Sequence, residues 1–171
     1  MKTNKKSVLL VCAVLIVLAA AVAVLAWLNY RDDLPDSGTL AVVCGGETLR
    51  TFTLEEIQAL PAVEVEKEIV SSSFANDEGL FRGVSLRALL RQAGVEPDEY
   101  SQLIARAEDN FVMAYPMDEI TESDDIFLAY EKNGQGLGSL QDGGTGPLRI
   151  IVTQDEFGNR CAKYVCELEV K

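Results

Sequence analysis

Apolar residues are spaced along this chain in three different ways, and each spacing calls for a different element. From Val8 to Leu28 they form an unbroken uncharged run, VLLVCAVLIVLAAAVAVLAWL. At about 1.5 Å per residue, a helix of that length crosses a hydrocarbon core of roughly 30 Å. From Val63 to Val70 they alternate with charge in VEVEKEIV, the period-two pattern of a half-buried strand. Leu86, Leu89, Leu90 and Ala93 instead recur at helical spacing, with Ser85 as a cap in front and Gly94 as a stop behind. Thr39 to Cys44, Thr48 to Phe52, Phe111 to Tyr115, Ile126 to Tyr130, Leu148 to Thr153 and Lys163 to Val170 are rich in β-branched and aromatic residues and read as strands. Thr53 and Glu56 form a capping box for a short helix, and helical turns fit Asp98 to Leu103 and Met117 to Ile120. Strands interleaved with few short helices predict an α+β domain with a mixed β-sheet core, not regular βαβ repeats.

The long apolar run organises everything around it. Lys2, Lys5 and Lys6 precede it and Asp32, Asp33 and Asp36 follow it, which puts residues 1–7 in the cytoplasm and the rest outside. The reading is a single-pass cell-membrane protein: residues 8–28 a transmembrane anchor, 29–38 (NYRDDLPDSG) a polar stalk, and 39–171 one extracytoplasmic domain. A cleaved signal peptide is the rival, with Ala21-Val22-Ala23 as an A-x-A site; against it, the run exceeds the roughly 7 to 15 apolar residues of a secretory signal. Three of the 15 Lys and Arg lie ahead of the run, so the remaining 12 set against all 27 acidic residues leave the exported part near −15. Such a surface repels polyphosphates and anionic lipid and argues against nucleic acid as a partner.

Absent residues narrow the chemistry further. The chain has no histidine, which removes Ser-His-Asp and Cys-His catalysis, H-E-x-x-H zinc sites and Cys/His zinc fingers, since each needs a neutral imidazole. Ser71, Ser72 and Ser73 therefore lack their usual activator, and although Lys67 is near them there is neither S-x-x-K nor G-x-S-x-G. The acidic run Asp118 to Asp125 (DEITESDD) lacks the spacing and central glycine of an EF-hand loop and reads as an exposed face. Of the cysteines, Cys12 lies inside the apolar run. Cys161 and Cys166 fall on opposite faces of a strand, so the bridge open to an oxidising compartment joins Cys44 to one of them; three unpaired buried thiols are the equal alternative. Asn133 to Gly146 (NGQGLGSLQDGGTG) holds six of the 13 glycines and reads as a loop. Its amides could cradle an anion with Arg149 behind them, but without a phosphate-binding motif a flexible surface excursion is the plainer reading.

Five segments in order carry a resemblance: FRGVSLRALLRQAGV (Phe81 to Val95), FVMAYPMDE (Phe111 to Glu119), IFLAYEKNGQGL (Ile126 to Leu137), GGTGPLRIIV (Gly143 to Val152) and AKYVCELEV (Ala162 to Val170). Together they resemble the oxidoreductase molybdopterin-binding domain, the sulfite oxidase-like fold, over roughly Thr39 to Lys171. The resemblance implies a mixed β-sheet core with short helices and a loop-lined pocket for a molybdopterin cofactor. In catalytic members a cysteine shortly before the aromatic-x-Gly-Val motif ligates the molybdenum. Here that segment, Ile69 to Asp77, contains no cysteine, and Ser72 is the best match to the vacant position. A hydroxyl is a harder and weaker donor than a thiolate and does not replace it. Members also hold the pterin phosphate with histidine and arginine; the cations matching or near those motifs are Arg149, Arg160 and Lys163. Nor does the N-terminus, KTNKKS, carry the twin arginine that exported, cofactor-loaded members use.

The expectation drawn from these features is a membrane-anchored, non-catalytic domain without a bound metal or cofactor, whose pocket or loops take a small anionic ligand or a protein partner. Two alternatives stand beside it. One is an active molybdopterin-dependent oxidoreductase, with the metal held by the dithiolene alone or with Ser72 as an unusual ligand. The other is an accessory subunit of a membrane electron-transfer complex.

Overall fold

The structure is a computed structural model and describes residues 13–24, 38–71 and 76–171. Two compact units divide the chain, residues 1–33 and 34–171. In the first, residues 13–24 are helical with exposed side chains. No helix among the described residues is long and apolar enough to cross a membrane. Residues 8–12 and 25–28 of the expected anchor, like 1–7 and 29–37, lie outside the described residues.

In the second unit two five-stranded sheets face each other. The first has the order β2-β1-β10-β5-β6, from Glu47–Thr53 (β2), Thr39–Cys44 (β1), Val165–Val170 (β10), Gln102–Ala107 (β5) and Val112–Pro116 (β6). Its one parallel pair joins β1 to β10 in register Ala41↔Glu167 to Cys44↔Val170. The second sheet runs β3-β4-β7-β8, from Ala62–Ile69 (β3), Asp77–Ser85 (β4), Ile126–Lys132 (β7) and Gln135–Gly136 (β8), with Arg149–Val152 (β9) also paired to β7. Three short helices close the unit: α1 (Leu54–Gln58), α2 (Leu86–Gln92) and α3 (Met117–Glu122). The mixed α+β expectation holds, and so does the capping box on α1: Glu56 N–H donates to Thr53 Oγ1 at 3.2 Å and Thr53 N–H to Glu56 Oε2 at 2.8 Å.

The main core lies between the sheets, where Leu40, Val42, Leu103 and Leu168 from the first meet Val84, Leu128 and Ile150 from the second and Leu86, Leu89 and Leu90 from α2. A second, smaller core of Ile69, Phe81, Phe127, Ala129, Leu137 and Ile151 covers the back of the second sheet. Strand β7 therefore buries both faces: Ile126, Leu128 and Tyr130 face forward, Phe127 and Ala129 backward. That double burial is why its sequence, IFLAY, is continuously apolar instead of alternating.

Besides the two-residue β8 inside the expected loop, two strands lie where the sequence reading placed none. In β4, Glu78, Gly79, Arg82 and Gly83 interrupt the apolar pattern, and a register shift between Arg82 and Gly83 breaks its period. For β5, QLIARA alternates cleanly, but it begins inside the expected helical turn at Asp98 to Leu103; the turn is confined to Pro97–Glu99 as a short 3-10 helix. Ser85 precedes α2 without capping it. Its hydroxyl donates instead to Asp124 Oδ1 at 2.8 Å, tying β4 to the start of β7.

The glycine-rich segment is not a loose excursion. Asn133 and Gly134, with φ of 52° and 77°, make a tight turn between β7 and β8. Beyond it the chain bonds to itself, Thr145 N–H to Leu137 O at 2.9 Å, Gly146 N–H to Gly138 O at 2.9 Å and Gly144 N–H to Ser139 O at 2.9 Å, and Tyr164 Oη–H donates to Gly144 O at 2.7 Å. A Cβ on Gly144 would lie 2.4 Å from Leu137 O, so close backbone packing requires glycine there. These amides are spent within the loop and form no anion cradle.

Candidate functional site

The back of the second sheet carries the polar groups that the sequence reading sought. Asp77 opens β4, Lys132 closes β7 opposite Phe81, and Arg149 opens β9 opposite Ala129. Three strands thus deliver one cluster: Arg149 Nη1 donates to Asp77 Oδ2, and Lys132 Nζ donates to Asp77 Oδ1. Both cations lie over the Phe81 ring, each 5.7 Å from its centroid. The Arg149 side chain is 3% exposed and that of Asp77 26%. Burial alone would raise the Asp77 pKa, but the hydrogen bonds and charges of Lys132 and Arg149 prevail and hold the carboxyl below its usual range. One donor is left over: among the described residues Arg149 Nε is buried without a hydrogen-bond partner.

A second polar group pins the segment that crosses this face. Lys67, pointing inward from β3, donates through Nζ to Thr153 O at 2.9 Å and Asp155 O at 2.6 Å. Val70 pairs with Phe157, and Gly158 N–H donates to Val70 O at 3.0 Å, so the turn after β9 runs beside the start of the serine segment. Arg160 locks that turn: Nε and Nη2 donate to the two Asp155 oxygens at 2.7 Å each, and Nη1 donates to Glu119 Oε2 on α3 at 2.7 Å. These hydrogen bonds and charges push the Arg160 pKa further up and hold Asp155 below the usual carboxylate range. Outside this clasp Arg160 lines a cleft of about 440 Å³ with Glu119, Glu122, Ser123, Asp125 and Gln154.

The three expected cofactor cations are therefore not one constellation. Arg149 and Lys163 adjoin through the backbone, since Ile150 N–H donates to Ala162 O at 2.8 Å and Val165 N–H to Leu148 O at 3.0 Å on either side. Their side chains part, for Lys163 is exposed and makes no hydrogen bond or ion pair among the described residues. Arg160 serves the acidic cleft. Ser72 lies outside the described residues; Ser71, at its border, donates its N–H to Asn76 Oδ1 at 3.4 Å. Asp77 and Lys132 escaped the sequence reading because nothing local marks them: their partnership exists only through the pairing of β4 with β7.

The residues here do not fit a molybdenum centre of the kind the fold implies. Ile69 to Asp77 offers no thiolate. The cysteine packed against this face is Cys161, whose thiol burial pushes up and keeps protonated. Cys44 and Cys166 are likewise free, the unbridged one of the two alternatives open from the sequence. Arg149 and Arg160, the cations suited to a phosphate, are already paired with carboxylates of this chain. Among the described residues no group of three His, Cys, Asp or Glu side chains could hold a metal ion.

Comparison with known proteins agrees with the architecture. No curated protein sequence matches the chain. Among solved structures, the sulfane dehydrogenase SoxCD from Paracoccus pantotrophus superposes with a TM-score of 0.64 at 23% identity, over 82% of this chain and 39% of that one. The chain thus spans well under half of that relative, and the likeness is one of fold. The sequence profile described as the oxidoreductase molybdopterin binding domain matches residues 29–171. With that match over most of its length, and with the two-sheet architecture behind it, the chain belongs to the oxidoreductase molybdopterin-binding domain family.

Proposed function

We propose that this protein is a membrane-tethered, extracytoplasmic and non-catalytic member of its family, keeping the scaffold as a module that binds a small anionic ligand or a protein partner. The observation that carries the reading is the donor set: the segment that would supply the metal's sulfur anchor has only hydroxyls, and a soft second-row metal is poorly served by them. The pairing of Arg149 and Arg160 with internal carboxylates supports it. The tether rests on the apolar run Val8 to Leu28 and the lysines before it.

One observation favours the alternative of an active oxidoreductase: the buried Arg149 Nε still lacks an acceptor among the described residues. Elemental analysis decides between them. Full-length protein extracted from its native membranes should carry molybdenum far below one atom per chain; a stoichiometric amount would reverse the reading. The same preparation tests the rest. Recovery in the soluble fraction without detergent would remove the tether, and co-purification of one stable redox partner would favour an accessory subunit.

A further inference from the structure

We propose that the free edge of strand β3 is a docking site for a partner protein, which adds to it an extended segment carrying Lys or Arg at alternate positions. The inference deepens the binding-module reading, whose protein partner it describes, and rests on it. Strand β3 ends the second sheet, with β4 as its sole strand partner among the described residues. The aim of its backbone groups follows from Leu80, which lies directly opposite Glu66. Leu80 N–H donates to Asn133 Oδ1 at 2.9 Å and Leu80 O accepts from Asn133 N–H at 2.8 Å, so both groups turn towards β7 and the turn that follows it. In an antiparallel ladder the residue opposite then turns its own N–H and C=O away from β4, and the period of two gives Glu64 and Glu68 the same aim. Val70, next in that series, agrees: its carbonyl accepts from Gly158 N–H at 3.0 Å, beside the parallel bridge to Phe157. The edge thus takes a strand at its far end, and among the described residues it stands open from Ala62 to Glu68.

The side chains select the occupant. Glu64, Glu66 and Glu68 lie exposed on one face, joined there by Glu78 opposite Glu68 and by Glu131 opposite Arg82. Arg82 answers them with an ion pair to Glu64 at 3.7 Å, between side chains 46% and 53% exposed, a contact worth little. Glu68 and Glu78 stand directly across from each other, a like-charge pair that costs stability until a cation comes between them. Leu80, 45% exposed beside Glu66, offers an apolar rest for a lysine or arginine stem. A second copy of the chain is the wrong occupant, because antiparallel pairing of β3 with itself about a two-fold axis sets glutamate against glutamate on this face. Residues 29–37 of the chain itself repel the edge as well, with Asp32, Asp33 and Asp36 outweighing Arg31. A foreign strand with alternating cations meets Glu64, Glu66 and Glu68 in turn while its backbone completes the ladder.

The test takes full-length protein in detergent and a fluorescein-labelled peptide of alternating lysine and threonine, long enough to span Ala62 to Glu68, read by fluorescence anisotropy. The peptide should bind wild type, and its affinity should fall as salt rises. It should bind about tenfold or more weakly to the triple variant Glu64→Gln/Glu66→Gln/Glu68→Gln, which removes exposed charges only. Charge alone does not separate a ladder from a diffuse attraction, so two further peptides of equal charge are N-methylated, one at every lysine and the other at every threonine. One alternate set of amides faces β3 and the other faces away, so methylation should abolish binding to wild type in one peptide and spare it in the other. Equal binding of the two methylated peptides overturns the proposal, even if the triple variant fails to fold. So does protection of the Glu64, Glu66 and Glu68 amides from hydrogen exchange in the free protein, which would show a second copy or the chain's own segment already on the edge. Molybdenum content is measured without any peptide, so failure of the edge and failure of the non-catalytic reading are told apart.

Discussion

Replacing Gly83 by alanine should damage this domain more than any other single methyl group among its described glycines. Gly83 is the glycine of the aromatic-x-Gly-Val motif, and it sits in β4 opposite Ala129 of β7, where the register shifts. A Cβ there would lie 2.1 Å from Leu128 O and 2.6 Å from Ala129 Cα and Leu128 C, all backbone atoms of a strand buried on both faces. No side-chain rotation relieves such a contact, so β4 and β7 must separate by about 1 Å to recover ordinary packing distances. Overpacking of that kind costs about 1–3 kcal/mol, and parting the strands loosens one or two ladder hydrogen bonds worth about 1 kcal/mol each. The expected loss is about 3–4 kcal/mol, against a total stability of about 5–15 kcal/mol for a typical domain. Urea unfolding followed by circular dichroism measures it. The control is Gly136→Ala in β8, which meets nothing within 4 Å and should stay within about 0.5 kcal/mol of wild type. If Gly83→Ala unfolds at the same urea concentration as Gly136→Ala, the close approach of β4 to β7 is not what requires glycine in the motif.

Further outcomes follow from the polar groups. Arg160→Met removes three charge-assisted hydrogen bonds from a partly exposed side chain and should cost about 2 kcal/mol; amide exchange should quicken at Gly158 and Cys161, and unchanged exchange there would show that the clasp does not hold the turn. Asp77 and Asp155 have folded pKa values below their unfolded ones, so their stabilisation is full above about pH 4 and is lost as pH falls through the folded values. Acid unfolding should therefore take up protons, and Asp77→Asn should flatten the decline in stability below about pH 4; an unchanged slope would contradict the assignment. Cys166 is buried with its thiol pushed up to about 12, so alkylation of native protein at mild alkaline pH should modify Cys44 well before Cys166 by mass spectrometry. A Cys44 that resists alkylation until reduced would restore the disulfide.

What the sequence made legible was whatever is written within a few residues. The alternation of Val63 to Val70 and the capping box at Thr53 and Glu56 are local signals, and both elements formed where expected. Strand β4 was hidden because its irregular register and Gly83 answer to β7, far along the chain. The same divide runs through the site. Arg149 was found because a motif marks it, whereas Asp77 and Lys132 look like any two surface charges until sheet pairing brings them to the same guanidinium. The glycine-rich segment was misjudged for a related reason: glycine content reports conformational freedom in the unfolded chain, not in a loop whose Gly143, Gly144, Thr145 and Gly146 amides bond back to the loop itself.

The parallel pairing of β1 with β10 has a consequence for how the domain closes. Strand β10 is the middle of the first sheet: on one side it meets β1, on the other β5. Without residues 165–170 that sheet is two separate antiparallel pairs, β1–β2 and β5–β6, each formed from neighbouring stretches of chain. Seating β10 is then the keystone step, the one that turns two local ribbons into a continuous layer.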